Sequence, residues 1–163
     1  LPLAKQYPNL IVVRSLTKLF SLAGLRLGYV ISNKQRLKQW NSWRDPWPLN
    51  SLAATAGEML MNNPIELNEW MDDIHNWLSV EGRWMQCKLN NLPGVEPHPS
   101  ATNFQLIQSK SSLISIRNKL SKKNILLRDC RSFRGLGENW LRISLQTREG
   151  NKQIISALED VIM

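Results

Sequence analysis

Within fourteen residues, from Ser15 to Gly28, the chain sets one lysine, Lys18, among two hydroxyls, Ser15 and Thr17, two glycines and an arginine, Arg26. An unprotonated lysine amine condenses with an aldehyde to a Schiff base. Hydroxyls and a guanidinium hold phosphate, the guanidinium in two-pronged fashion. Together these groups suit a small molecule carrying both an aldehyde and a phosphate. An ammonium is not nucleophilic, so Lys18 must lose its proton, and a partly desolvated site beside another cation favours that loss. Arg26 is the candidate cation and phosphate grip. Ser15 and Thr17 are candidate donors to the same phosphate. Gly24 and Gly28 permit close backbone geometry that a Cβ would obstruct. The competing reading is a basic surface loop between two strands.

Pyridoxal 5'-phosphate carries both groups on one small ring. The run Ser15, Thr17, Lys18, Phe20, Ser21, Leu22, Ala23, Gly24, Arg26 and Gly28 is gapless. It resembles the lysine motif of the fold-type I pyridoxal-phosphate enzymes, in the class I/II aminotransferase branch. The resemblance implies that Lys18 anchors the cofactor and later moves the substrate's Cα proton as base and acid. It assigns Ser15, Thr17 and Arg26 to cofactor binding as well. It also implies a carboxylate against the pyridine nitrogen, upstream of the lysine. No Asp or Glu precedes Lys18, and the chain opens Leu1, Pro2, Leu3. The expectation is the C-terminal part of a longer chain, itself inactive. A non-catalytic remnant of the fold, dimerising or binding an anion, is the alternative.

Two arginines in the last third are candidate substrate groups. Arg142 lies between Leu141 and Ile143, a cation in an apolar strand-like run. Buried arginine is rare unless paired. An internal salt bridge to Asp129 or Glu138 is one reading. A bidentate clamp on a substrate carboxylate is the other, and the resemblance favours it. Arg128 stands where relatives also place an arginine near the substrate, although a strand-edge arginine is often only surface. The loop from Arg128 to Gly137 and the segment Trp47–Ala53 resemble those of threonine-phosphate decarboxylases and histidinol-phosphate aminotransferases. That implies a phosphorylated amino acid or amine as substrate and leaves transamination and decarboxylation both open. Arg131 and Arg134 suit a substrate phosphate or a solvated loop equally.

Composition bounds the alternatives. The 163 residues carry a net charge of +8 and are 42% hydrophobic, which suits a globular fold. All of the excess charge lies in residues 1–44, with eight basic residues and no acidic one. That block reads as lacking the interleaved exposed aromatics of a single-strand groove, so no nucleic-acid partner is expected. Lys34, Arg36 and Lys38 read as solvated surface. No apolar run approaches the ~18 residues of a membrane span, and no membrane partner is expected. Cys87 and Cys130 match no metal or redox spacing, and His75 and His98 are isolated, so no metal is expected. Two reduced thiols fit a cytoplasmic protein. The resemblance implies a homodimer.

The elements that must position these residues can be placed coarsely. Residues 10–14 and 25–32 read as strands flanking the motif turn. Residues 34–43 read as a helix, ended by Pro46 and Pro48. Asn50 is a candidate cap for a helix from Ser51, and Pro64 opens a long helix to about Asn90. Trp70, Trp77 and Trp84 recur along it at helical spacing, either as core or as a partner surface. Residues 102–107, 125–128 and 140–145 read as strands, and 111–123 and 149–162 as helices. This is an α/β chain: the C-terminal part of the fold-type I transferase fold, with a remnant of the large mixed-sheet domain and a small α+β C-terminal domain. The boundary is expected within the long helix, dividing 1–75 from 76–163.

Overall fold

The computed structural model describes residues 3–162, which divide into two compact units between Met71 and Asp72. In the first unit a one-turn helix α1 (Leu3–Gln6) precedes β1 (Val12–Ser15). A 3-10 turn at Ala23–Leu25 leads to β2 (Gly28–Ile31), then to α2 (Lys34–Ser42) and α3 (Ser51–Asn62). The long helix α4 (Pro64–Asn90) starts in this unit. β1 and β2 are antiparallel, with Ser15 opposite Gly28. The second predicted strand is therefore shorter than the apolar run that suggested it. Its first residues go into the turn, because Arg26 takes a left-handed backbone that a strand cannot hold.

The cap expected at Asn50 is made, and Asn33 caps α2 in the same way. Asn33 accepts from the Arg36 amide at 2.8 Å and Asn50 from the Ala53 amide at 2.8 Å. Each satisfies one of the orphan donors of a first turn. Arg36 is more than solvated surface: its guanidinium donates to the Pro8 carbonyl at 2.8 Å and the Ser32 hydroxyl at 3.1 Å. The core of this unit is thin. Leu16, Leu27 and Ala53 are buried, with Phe20 and Leu25 packed against them. Val13, Trp47 and Leu52 remain 72%, 89% and 73% exposed, so much of its apolar surface is uncovered within this chain.

The second unit holds a four-stranded antiparallel sheet in the order β3-β4-β6-β5. Its strands are β3 (Glu96–His98), β4 (Phe104–Gln108), β5 (Arg128–Asp129) and β6 (Trp140–Ser144), joined by α5 (Ile114–Lys122) and closed by α6 (Arg148–Ile162). β3 carries Pro97 and has no apolar alternation to announce it. Pro97 is tolerated there because β3 is an edge strand. The core gathers Met85 and Leu89 of α4, Ile107 of β4, Leu120 of α5, Leu141 and Ile143 of β6, and Ile155 and Leu158 of α6. Trp77 and Trp84 pack against it, as the core reading expects. Trp70 does not: it is 43% exposed in the first unit, where its indole donates to the Leu19 carbonyl at 3.0 Å.

One polar clasp is buried in this unit. Glu81 of α4 accepts both the Arg148 Nε–H at 3.1 Å and the side-chain amide of the fully buried Asn151 at 2.8 Å. The Arg148 guanidinium also lies 4.7 Å from the Trp84 ring centroid. Removing the carboxylate leaves two donors unmatched, so Glu81→Ala is expected to cost about 1–3 kcal/mol, read from urea unfolding. Hydrogen bonding from Arg148 lowers the Glu81 pKa below its ordinary 4.5, against the opposing effect of burial. The unfolded chain therefore takes up the proton first as the solution is acidified. The clasp contributes fully above about pH 4.5 and is lost as pH falls through the lowered folded value. The stability of Glu81→Gln should fall less steeply than that of the wild type in the same acid titration.

Candidate active site

Lys18 sits in the turn that follows β1. Leu16 continues the ladder, its amide donating to the Leu27 carbonyl at 3.1 Å. The chain then folds back, with the Phe20 amide on the Leu16 carbonyl at 3.2 Å and the Ser21 amide on the Lys18 carbonyl at 3.5 Å. The sequence dictates this. Leu16 and Leu27 are buried and fix the strand ends, and Phe20 and Leu25 of the intervening turn pack against them. Gly28 is required by close approach: a Cβ there would stand 2.7 Å from the Arg14 carbonyl oxygen. Gly24 meets no such constraint, having nothing within 4 Å of a built Cβ.

Ser15, Thr17 and Arg26 line one cavity of about 790 Å³, together with Arg14, Tyr29, Trp40 and Arg44. Three arginines and no acidic group face this space, which suits an anion. The Ser15 hydroxyl accepts the Thr17 amide at 3.3 Å and keeps its own proton to donate. Arg26 has φ of 55° and ψ of 44°. A left-handed backbone costs a non-glycine residue about 1–2 kcal/mol, and such strain collects at functional positions. Its guanidinium makes one long bond, to the Ala23 carbonyl at 3.4 Å, leaving the other donors for a phosphate. Lys18, next to Thr17, is outside the cavity lining and exposed. The desolvation expected of it is not supplied by the described residues, since its side chain is exposed. The donor set fits a phosphate, and the neighbouring amine fits an aldehyde.

In the second unit the antiparallel register sets Arg128 of β5 directly opposite Arg142 of β6. Leu141 and Ile143 are fully buried, so Arg142 belongs to the other face of the sheet. Its guanidinium lies 4.1 Å from the centroid of the Phe104 ring and 6.0 Å from that of Phe133. Its Nε is buried and has no hydrogen-bond partner. The internal salt bridge is not formed. Asp129 is taken by Arg131, which grips it with Nε and a terminal nitrogen at 2.6–3.1 Å. Glu138 lies 3.9 Å from the same Arg131. Hydrogen bonding from Arg131 holds the Asp129 carboxyl down at about 2. Among the described residues neither Arg128 nor Arg142 makes an ion pair.

Arg128 is exposed and donates to the Ser132 hydroxyl at 3.0 Å. Arg131 belongs to the loop's own structure, which removes the case for it as a free phosphate group. Asn103 ties the β4 entry to the β6 exit, its carbonyl accepting from the Leu145 amide at 2.9 Å. His98 stacks on Trp140 at 4.8 Å and contacts Gln108 at 3.1 Å, a structural pairing. Among the described residues no group of three His, Cys, Asp or Glu side chains could hold a metal, and no helix is long and apolar enough to cross a membrane. The structure thus brings Ser15, Thr17 and Arg26 together in the first unit and Arg128 with Arg142 in the second. The aromatic partners Phe104 and Phe133 were not singled out by sequence, since strand pairing brings the first to Arg142 and a turned loop brings the second to both arginines.

The family profile described as aminotransferase class I and II matches residues 1–158. The chain belongs to that family. It is 30% identical to threonine-phosphate decarboxylase of Salmonella typhimurium over 99% of its own length and 44% of that protein's. It is 32% identical to histidinol-phosphate aminotransferase of a Thermoanaerobacter species, over 97% of this chain and 43% of the relative. Among solved structures, L-threonine-O-3-phosphate decarboxylase of Porphyromonas gingivalis superposes with a TM-score of 0.81 at 32% identity, over 98% of this chain and 48% of that one. The fold is therefore that of these enzymes, and the chain spans less than half the length of the relatives it matches.

A buried N–H without a partner, as at the Nε of half-buried Arg142, costs stability. Arg142→Met is expected to stabilise this chain by about 1 kcal/mol, read as a higher urea midpoint, once the lost ring contacts offset part of the gain. A lower midpoint in urea would mean that Arg142 is a structural residue.

Proposed function

We propose that this family member works as a pyridoxal-phosphate enzyme, an aminotransferase or decarboxylase, on a phosphorylated amino acid or amine. The supporting observation is the grouping of Ser15, Thr17 and Arg26 around one acid-free cavity beside Lys18. In this reading the two hydroxyls and the Arg26 fork hold the cofactor's phosphate. Lys18 supplies the amine that retains the cofactor and the base that moves a proton at the substrate's Cα. The bound cofactor supplies an electron sink that weakens the bonds at that carbon. Arg142, with its unsatisfied Nε, takes the substrate's anionic carboxylate, and Arg128 lies opposite as a second cation. The names of the relatives support the phosphorylated substrate class.

The same reading assigns residues 1–75 to part of the large cofactor-binding domain and 76–163 to the small C-terminal one. A homodimer is the proposed assembly, in keeping with the uncovered apolar surface of the first unit. Cytoplasm is the proposed location, in keeping with two unbridged cysteines.

The test is direct. Pyridoxal 5'-phosphate mixed with the chain and then reduced with borohydride should add the cofactor's mass to the peptide containing Lys18. Lys18→Ala should abolish that adduct, and Arg26→Met should weaken its formation about tenfold or more. Labelling spread evenly over surface lysines, unchanged in Lys18→Ala, would refute the anchoring role.

A further inference from the structure

Phe133 lies in the Arg128–Gly137 loop, and its ring lies near both candidate substrate arginines. Its ring centroid lies 5.5 Å from the Arg128 guanidinium carbon and 6.0 Å from that of Arg142. The two cations are cross-strand partners on β5 and β6. Like charges placed directly opposite destabilise a strand pair. The acid in reach, Asp129, is already engaged by Arg131. An aromatic ring is the remaining source of negative electrostatic potential, because its faces attract cations.

The placement of Phe133 is built rather than incidental. It closes a turn, with its amide on the Cys130 carbonyl at 2.9 Å, and the Leu136 amide returns to its own carbonyl at 3.1 Å. Gly135, at φ of 88°, lets the chain reverse there. Cys130 is fully buried and pins the start of the turn, while the Arg131–Asp129 fork stiffens it. Ser132, the neighbour of Phe133, holds Arg128 at 3.0 Å. Despite these ties the ring is 41% exposed, so core packing does not explain an aromatic at this position.

The geometry points to Phe133 as a positioning residue: its ring holds Arg128 and Arg142 side by side, unneutralised, so that an anionic substrate finds both guanidiniums preset. This rests on the reading of Arg142 and Arg128 as substrate groups. The ring touches neither substrate nor cofactor in this role. It acts by replacing the acidic partner that would otherwise hold, and thereby occupy, the two arginines. Phe104, 4.1 Å from Arg142 alone, anchors one arginine; Phe133 couples the two.

Nuclear magnetic resonance on the full chain tests this in two arms. In the free chain, ring currents should shift the Nε–H signals of Arg128 and Arg142. Phe133→Leu should move the Arg128 signal toward its ordinary value and displace the Arg142 signal, which stays shifted by Phe104, while Phe133→Tyr should leave both near the wild-type positions. Phe133→Met serves if the leucine variant does not fold. Signals unmoved by loss of the ring would overturn the proposal. In the second arm the chain is titrated with O-phospho-L-threonine. Phe133→Leu should weaken binding about five- to tenfold, with Phe133→Tyr restoring it. If Arg142→Met abolishes binding while Phe133→Leu binds like the wild type, the positioning role fails and the clamp stands. If the wild type shows no shift at Arg142 or Arg128, the clamp reading fails, and the positioning role with it.

Discussion

The register of β6 between β4 and β5 is the constraint on which the second unit depends. Leu141 and Ile143 alternate with Arg142 along one five-residue strand. Burying those two side chains is worth roughly 1.5–3 kcal/mol each. A one-residue slip would expose both and drive the guanidinium into the core. Ile107 on β4 and the α4 and α6 residues beneath the sheet make the same demand. Arg142 is therefore held on the opposite face by the packing of its neighbours, without any acidic partner of its own. The same register delivers Arg128 to its side and Leu106 to the other.

The first unit follows a different economy. Its buried cluster is small, and its turn is shaped by a few local requirements: two leucines in the core, a glycine under a carbonyl, and an arginine in a left-handed backbone. These requirements gather hydroxyls and cations around an open cavity. They also leave large apolar side chains in water, which a domain of this size would ordinarily cover. The strain at Arg26 and the unmatched Nε of Arg142 are both local costs. In both cases the cost falls on a residue able to grip an anion, as expected where stability has been traded for binding.

Much of this was legible in the chain. Helix starts at Asn50 and Pro64 could be read because capping is a local matter of one side chain and two or three amides. The long helix, the closing helix and the strand at 140–145 declared themselves by period. The Lys18 motif carried the family, and Arg142 stood out as a charge among apolar neighbours. Less legible were the short strand at Glu96–His98, which contains a proline, and the left-handed turn that shortened β2. Trp70 shared the spacing of Trp77 and Trp84 but not their burial, because periodicity defines a face and does not say what covers it.

By itself the sequence determined the family, the antiparallel α+β character of the last third, and which residues are candidates for phosphate and carboxylate. These depend on local spacing and residue chemistry, which a linear chain displays. Only the tertiary structure decided that Arg131, and not Arg142, takes Asp129, that Arg128 and Arg142 are opposed, and that Phe133 lies against both. Those pairings join residues through strand register and a turned loop. They are fixed by which apolar side chains win the core, a competition settled only when the whole sheet has packed.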